Sequence, residues 1–454
     1  MKLTTLILAA GIATSSARDP NVIVILTDDQ GYNDLGCFGS PRIKTPNIDR
    51  LAAEGLKLTD FHVPSPVCSP TRAGLLTGCY PKRVEMHRGV LIPSDKRGLN
   101  PAEVTLADHL KSNGYATACI GKWHLGHRPE LLPTAQGFDH YFGIPYSNDM
   151  SHPDNAAKPK ISLDEGWRNP ADSSPRWNTP LMRDTEIIEL PVDQRTLTRR
   201  YTDEAIRFVE QQRDRPFFLY LAHSMPHIPL FVPDDVRDPD PRNAYRCVIE
   251  HIDAETGRLL AKLRELSLEK DTLLVFTSDN GPWLPMGHHG GSAAPLRDGK
   301  GTPFEGGTRV PCVAWGPGRI PAGKASDELV STLDLLPTLA VLTGHPFQAA
   351  KPIDGIDVSA TLTKGEASPR TEFLHYSSTG TLEGIRQGDW KLLVRPRGKD
   401  KQPETLLFNL SSDLSESRNL AAENAERVAA MSARMAELDR EVTAGARPAW
   451  TAGK

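Results

Sequence analysis

Val22-Ile23-Val24-Ile25-Leu26-Thr27-Asp28-Asp29 decides the architecture: an unbroken apolar run, rich in β-branched residues, that stops on two carboxylates. A run with no polar face is expected as a strand covered on both sides, as in parallel sheets. Ala116 to Ile120, Phe217 to Ala222 and Thr272 to Thr277 share the composition. Between these runs lie helical patterns over Asn47 to Glu54, Thr105 to Asn113 with Gly114 as its stop, Thr198 to Gln212 and Pro241 to Leu266. Strands alternating with helices predict an α/β fold with a large, mainly parallel sheet between helices.

Ligands of open α/β sheets bind beyond the carboxyl ends of the strands, so the residues after each run are the informative ones. The first run ends in Asp28-Asp29, the second in Gly121-Lys122-Trp123-His124, the third in His223 and, further on, His227, and the fourth in Asp279-Asn280-Gly281. Taken singly, Asx residues after a strand serve as turns and caps, and loop histidines and lysines are ordinary. Together, Asp28, Asp29, Asp279 and Asn280 offer hard oxygen ligands without imidazole or thiolate, which suits calcium or magnesium. Converging carboxylates would repel one another without such a cation. Lys122, His124, His227, Arg72 and the lysine of Gly299-Lys300-Gly301-Thr302 supply a cationic cradle for a tetrahedral oxyanion ester.

The rest of the chain bounds the protein. Its 454 residues, 39% hydrophobic and 24% charged with a net charge of -4, describe a globular protein without a basic excess for nucleic acid. The length predicts a large domain plus a smaller one. Met1 to Ala17 passes from Lys2 through the apolar Leu3 to Ala13 to small residues, the pattern of a secretory signal, so a secreted or periplasmic protein without a membrane anchor is expected. The catalytic domain is assigned to residues 18–345. A C-terminal domain follows over 346–454, where Glu372 to Tyr376, Leu382 to Arg386, Trp390 to Val394 and Thr405 to Asn409 read as antiparallel strands before a helix over Ala421 to Thr443. Met150 to Asp193 lacks periodicity and is expected as a long surface excursion, with Trp167 and Trp177, like Trp283, available to stack on a sugar or aryl ring. The six cysteines have no C-x-x-C spacing, which argues against structural zinc and leaves one or two disulfides open.

Cys68-Ser69-Pro70-Thr71-Arg72-Ala73-Gly74-Leu75-Leu76-Thr77-Gly78 resembles the signature of type I sulfatases of the alkaline phosphatase superfamily. Asp28-Asp29-Gln30-Gly31, Gly121-Lys122-Trp123-His124, Gly143-Ile144-Pro145-Tyr146-Ser147, His223 with His227, Asp279-Asn280-Gly281 and Gly299-Lys300-Gly301-Thr302 follow in family order, nearest to the arylsulfatase A and N-acetylgalactosamine-6-sulfatase branch. The resemblance implies an alkaline phosphatase-like sandwich with a mixed sheet, and hydrolysis of aryl or carbohydrate sulfate monoesters. It implies that a maturation enzyme oxidises Cys68 to formylglycine, whose hydrated diol is the nucleophile. It also implies one calcium ion held by Asp28, Asp29, Asp279, Asn280 and residue 68, with Arg72 and Lys122 holding the diol. His227 or Lys300 would protonate the leaving oxygen, His124 would act as base when sulfate is expelled, Asp279 would assist the nucleophile and Ser147 would hydrogen-bond within the network. Two other readings stand beside it: a phosphonate or phosphodiester hydrolase using the same motif, against which Lys300 beside His227 argues, and a silent glycan-binding relative, which would lack a nucleophile or ligand.

Overall fold

The computed structural model describes residues 18–155, 160–397 and 402–453; the expected signal segment, Met1 to Ala17, lies outside them. Ten strands form the main sheet. In chain order they are β1 (Asn21–Thr27), β2 (Leu56–Leu58), β3 (Ala116–Lys122), β4 (His140–Ile144), β5 (Leu181–Arg183), β6 (Glu186–Glu189), β7 (Phe217–Ala222), β8 (Thr272–Ser278), β9 (Cys312–Trp315) and β10 (Lys324–Ser326). Their spatial order is β10-β2-β9-β8-β1-β7-β3-β4-β5-β6. The central strands β8, β1, β7, β3 and β4 run parallel, and antiparallel pairs flank them on both sides.

The apolar runs are continuous because both faces are covered. Ile23, Ile25, Leu219, Leu221, Leu274 and Phe276 join one core with the helices Leu197–Gln211 and Ala244–Glu265. The alternate residues Val22, Val24, Leu26, Phe218, Tyr220, Leu273 and Val275 join another with Cys68–Thr77, Leu106–Ser112 and Leu335–Leu342. The parallel register pairs Thr27 with Ser278, Leu26 with Ala222 and Gly121 with Ala222, so the polar residues after four strands emerge along one edge.

A second, antiparallel sheet contains β11 (Glu372–Tyr376), β12 (Leu382–Gln387), β13 (Trp390–Arg395) and β14 (Glu404–Asn409) in sequential order. Phe373, Ile385, Leu392 and Leu407 pack against Met431, Met435 and Val442 of the helix Ala425–Ala444. Alternate residues of the sheet, Leu393, Leu406 and Phe408, meet Phe304 beside the main sheet.

The Met150 to Asp193 segment departs from its reading as a surface excursion. It supplies β5 and β6 to the sheet edge, joined through Asp184 at φ +51, and its Trp167 is 1% exposed, with the indole N–H donating to the Asp238 carbonyl at 2.8 Å. Strands of three or four residues are too short to show a period. Trp177 also packs against the core, so only Trp283 of the three tryptophans faces the polar edge. All six cysteines are unpaired.

Candidate active site

Asp28 and Asp29 leave β1 in a sharp turn, with Asp29 at φ +67, a left-handed conformation that Asp tolerates better than most residues. The turn carries Asp29 across to β8, where its N–H donates to Asp279 Oδ1 at 3.2 Å. Asn280 Nδ2 donates to Asp29 Oδ1 at 2.7 Å, while its buried Oδ1 has no partner. Gly281 is required sterically, since a Cβ there would lie 1.7 Å from the Gly306 carbonyl oxygen.

Cys68 begins a helix, Cys68–Thr77, in which every residue is buried and which ends on Gly78 at φ +66. Its thiol donates to Asp28 Oδ1 at 3.5 Å. Burial pushes the Cys68 pKa well up, and Asp28 and Asp279 add to this against Lys122 and Lys300, so the side chain is a neutral thiol. Arg72, one turn on, donates from Nε and Nη2 to Asp279 Oδ2 at 2.9 and 2.7 Å and from Nη1 to the Lys122 carbonyl at 2.7 Å. Its guanidinium thus grips Asp279 and the β3 backbone one turn from residue 68.

Lys122 is fully buried, with Nζ 2.5 Å from Asp28 Oδ2 and 3.2 Å from Ser147 Oγ. Burial opposes its charge, but the Asp28 carboxylate beside it outweighs that and raises its pKa, so it stays an ammonium. Burial also resists ionisation of Asp28, yet Lys122, His227 and Arg72 lower its pKa. For Asp279, burial and the neighbouring Asp28 prevail and raise it. Lys300 reaches Asp29 Oδ2 at 2.7 Å and lies 4.3 Å over the Trp283 ring; its turn is held to the Cys68 segment by Gly301 N–H donating to the Pro66 carbonyl at 2.9 Å.

The histidines are oriented by backbone carbonyls. His227 Nδ1 lies 2.6 Å from the Ile228 carbonyl and must carry the hydrogen, with Asn148 Oδ1 at 3.2 Å and Ser147 Oγ at 3.4 Å on the same side. This turns Nε2 inward, 3.7 Å from Asp29 Oδ2. His124, at φ +61, donates from Nε2 to the Leu91 carbonyl at 2.8 Å, which leaves a buried Nδ1 lone pair without a partner. Burial, then Lys122 and Arg72, push its pKa well below the usual range. His223 is not brought into the centre: its ring lies beside Tyr201 and neither nitrogen has a partner, and burial takes its pKa down to about 3. Trp283, expected as a stacking residue, stands beside His227, whereas Asn148 is a neighbour that sequence reasoning did not place here; it adjoins Ser147 in the chain, but nothing in its context marked it.

Carboxylates and fixed cations packed this densely around a small residue can neutralise a bound oxyanion ester and support attack at its central atom. The donor set fits a hard cation, because three buried carboxylates lie beside a buried amide oxygen that has no partner. Solved structures share the architecture. The chain superimposes on the PsFucS1 sulfatase from Pseudoalteromonas sp. with a TM-score of 0.80 at 29% identity, covering 94% of this chain and 91% of that one. It matches Ps i-CgsB in complex with k-i-k-neocarrahexaose with a TM-score of 0.79 at 30% identity, covering 93% of each. The fold is that of the alkaline phosphatase superfamily, among its sulfatases.

The sulfatase family profile matches residues 20–345. Arylsulfatase A of Homo sapiens is 39% identical over 442 residues, covering 91% of this chain and 85% of the relative. N-acetylgalactosamine-6-sulfatase of Mus musculus is 37% identical over 399 residues, covering 84% and 73%. The chain belongs to the sulfatase family and is an enzyme that hydrolyses sulfate esters.

Proposed function

We propose that this sulfatase cleaves sulfate monoesters, saccharide sulfates foremost, with formylglycine made from Cys68 and one calcium ion. The observation that carries the reading is the placement of Cys68 Sγ 3.5 Å from Asp28 Oδ1, at the start of a buried helix and among carboxylates and ammonium groups. A neutral thiol there is a poor nucleophile. Maturation would be a two-electron oxidation by a dedicated enzyme: the Cβ–S bond is exchanged for C=O, sulfur leaves as hydrogen sulfide, and the electrons pass to an external oxidant. The hydrated aldehyde supplies one hydroxyl to attack sulfur and a second whose deprotonation expels sulfate. Asp28, Asp29, Asp279, Asn280 and an oxygen of residue 68 would hold calcium, which when bound neutralises the carboxylates and the ester oxygens.

Lys122 and Lys300 provide fixed positive charge close to residue 68. Arg72 is assigned as a positioning residue that holds Asp279. His227 is our proton donor to the leaving oxygen, because the Ile228 carbonyl pins Nδ1 and aims Nε2 at the centre. His124, whose free Nδ1 lone pair is set by the Leu91 carbonyl, is our acceptor for the proton released when sulfate departs. Ser147 bridges Lys122 and His227. A saccharide substrate is supported by the solved relative in complex with k-i-k-neocarrahexaose. Residence outside the cytoplasm is supported by the composition of Met1 to Ala17; among the described residues no helix is long and apolar enough to cross a membrane.

Peptide mass spectrometry across Ser65 to Arg72, on active protein from a host with the maturation enzyme, should find an aldehyde in place of the Cys68 thiol. Full turnover by protein whose Cys68 is a free thiol would refute this chemistry. Faster turnover of a nitrophenyl phosphonate than of a nitrophenyl sulfate would refute the substrate class.

A further inference from the structure

Among the described residues, two clusters of imidazole and carboxylate groups outside the catalytic centre have metal-like spacing. In the first, His62, Glu305 and His375 converge, but Lys391 at 2.8 Å and Arg309 at 3.3 Å already neutralise Glu305 in a fully buried setting. His62 Nδ1 and His375 Nε2 are without partners, but the paired cations leave the cluster no net negative charge to draw in a metal ion. The second cluster differs in each respect.

Asp164 lies on the short helix Leu163–Arg168 of the Met150 to Asp193 segment. His288 and His289 end the turn Leu284–His289, where Gly287 takes φ +60 and ψ -125 and so presents two consecutive imidazoles to one point. His288 Nε2 lies 2.8 Å and His289 Nε2 3.0 Å from the same oxygen, Asp164 Oδ1, and their ring centroids are 4.6 Å apart. Among the described residues, the cation paired with this carboxylate, Arg168, is 3.7 Å from the other oxygen, Oδ2. His289 is 3% exposed and fixed, whereas the His288 and Asp164 side chains are 40% and 38% exposed. His288 also borders a solvent cleft of about 450 Å³.

We propose that Asp164, His288 and His289 form a second metal site, for a borderline divalent transition ion of the zinc class. Two imidazole nitrogens and one carboxylate oxygen are the donors such ions take, and calcium does not select them. Ligand atoms about 2.0–2.1 Å from a tetrahedral zinc lie roughly 3.3 Å from one another, so the observed spacings need only small movements. The exposure of His288 leaves the fourth position to water. The ion would tie the Met150 to Asp193 segment to the loop carrying Trp283, whose ring lies 5.6 Å from His227 and under Lys300. The chemistry is therefore that of a staple at the rim of the active site.

The test uses the full chain loaded with calcium, titrated with zinc chloride in excess calcium by calorimetry, with metal content measured afterwards. One zinc per chain should bind without displacing calcium. His288→Ala/His289→Ala should lose that equivalent while keeping its calcium. His288→Gln, confined to an exposed side chain and safe for folding, should weaken zinc by at least the roughly tenfold that even outer-shell losses cost. Absence of zinc binding, zinc uptake only in exchange for calcium, or an unchanged isotherm in His288→Gln would overturn the proposal.

Discussion

Lys391→Met tests how the C-terminal sheet supports the catalytic edge. Lys391, on β13, has no solvent exposure and places Nζ 2.8 Å from Glu305 Oε1 and 2.9 Å from Glu416 Oε1, both of which are also fully buried. Glu305 follows the Lys300 turn, and the next residue, Gly306, donates its N–H to the Arg297 carbonyl at 2.8 Å, which closes the loop. Methionine preserves most of the volume but takes the cation from Glu416 and leaves Glu305 paired with Arg309 at 3.3 Å. Removing one partner of a buried ion pair costs about 3–5 kcal/mol. At about 2.1 cal/mol/K per residue, a 454-residue chain has an unfolding entropy near 1 kcal/mol/K, so the loss should lower the melting midpoint by roughly 3–5 °C in calorimetry.

The same variant has a pH signature. In the parent, burial resists the charge of Glu305, but Lys391, His62 and Arg309 hold its pKa well below the carboxylate range, so its stabilisation persists until strongly acid pH. Without Lys391 the folded-state pKa values of the two carboxyls rise. The variant then loses stability as pH climbs above the unfolded value of about 4.3, and its deficit should shrink as pH falls toward 4. Adding Glu416→Gln removes the surplus charge and should recover half or more of the loss, since Glu305 keeps Arg309 at 3.3 Å. A midpoint within about 1 °C of the parent, or no recovery in the double variant, would refute the reasoning.

Asp279→Ala should lose calcium and activity together, and full calcium occupancy by metal analysis would remove Asp279 from the ligand set. Chelation of the parent should lower its melting midpoint, because an ion bound only by the folded state stabilises it. His227→Ala should slow an alkyl or sugar sulfate by about 10²–10⁴-fold while sparing a nitrophenyl sulfate, whose leaving group needs little protonation; Lys300→Ala should weaken both, and equal losses in His227→Ala would reassign that residue to binding. Cys68→Ala should abolish turnover yet cost about 1 kcal/mol or less in stability, since it opens little space; unfolding of this variant would show that residue 68 is structural.

Burial on both faces made the long parallel strands legible, because it leaves no charged residue in Val22 to Thr27 or Phe217 to Ala222. Part of the centre was legible for a related reason: Asp28, Lys122, His227 and Asp279 sit at or within a few residues of a strand end, so finding the strands found them, whereas Cys68 and Lys300 lie farther along and were marked by the resemblance. Features set by distant partners were not legible. Strands such as Leu181–Arg183 exist only because the sheet edge offers them hydrogen bonds. The role of Arg72 depends on a carboxylate 207 positions away, and Lys391 meets Glu305 across 86. Trp167 and Trp283 both sit among loop-like residues, yet one is core and the other lines the site, a difference that only packing could make.

The burial of Cys68 imposes an order of events. At 1% exposure, in a helix with no accessible residue, the thiol cannot enter the active site of another enzyme once this chain has folded. Under the proposed chemistry, oxidation and folding therefore compete for the same newly made chain, and the outcome is irreversible on the folded side. Synthesis that outpaces maturation would yield a mixture in which every molecule is folded and only a fraction turns over. Specific activity would then record the ratio of two rates during biosynthesis, while the melting curve of the preparation stayed the same.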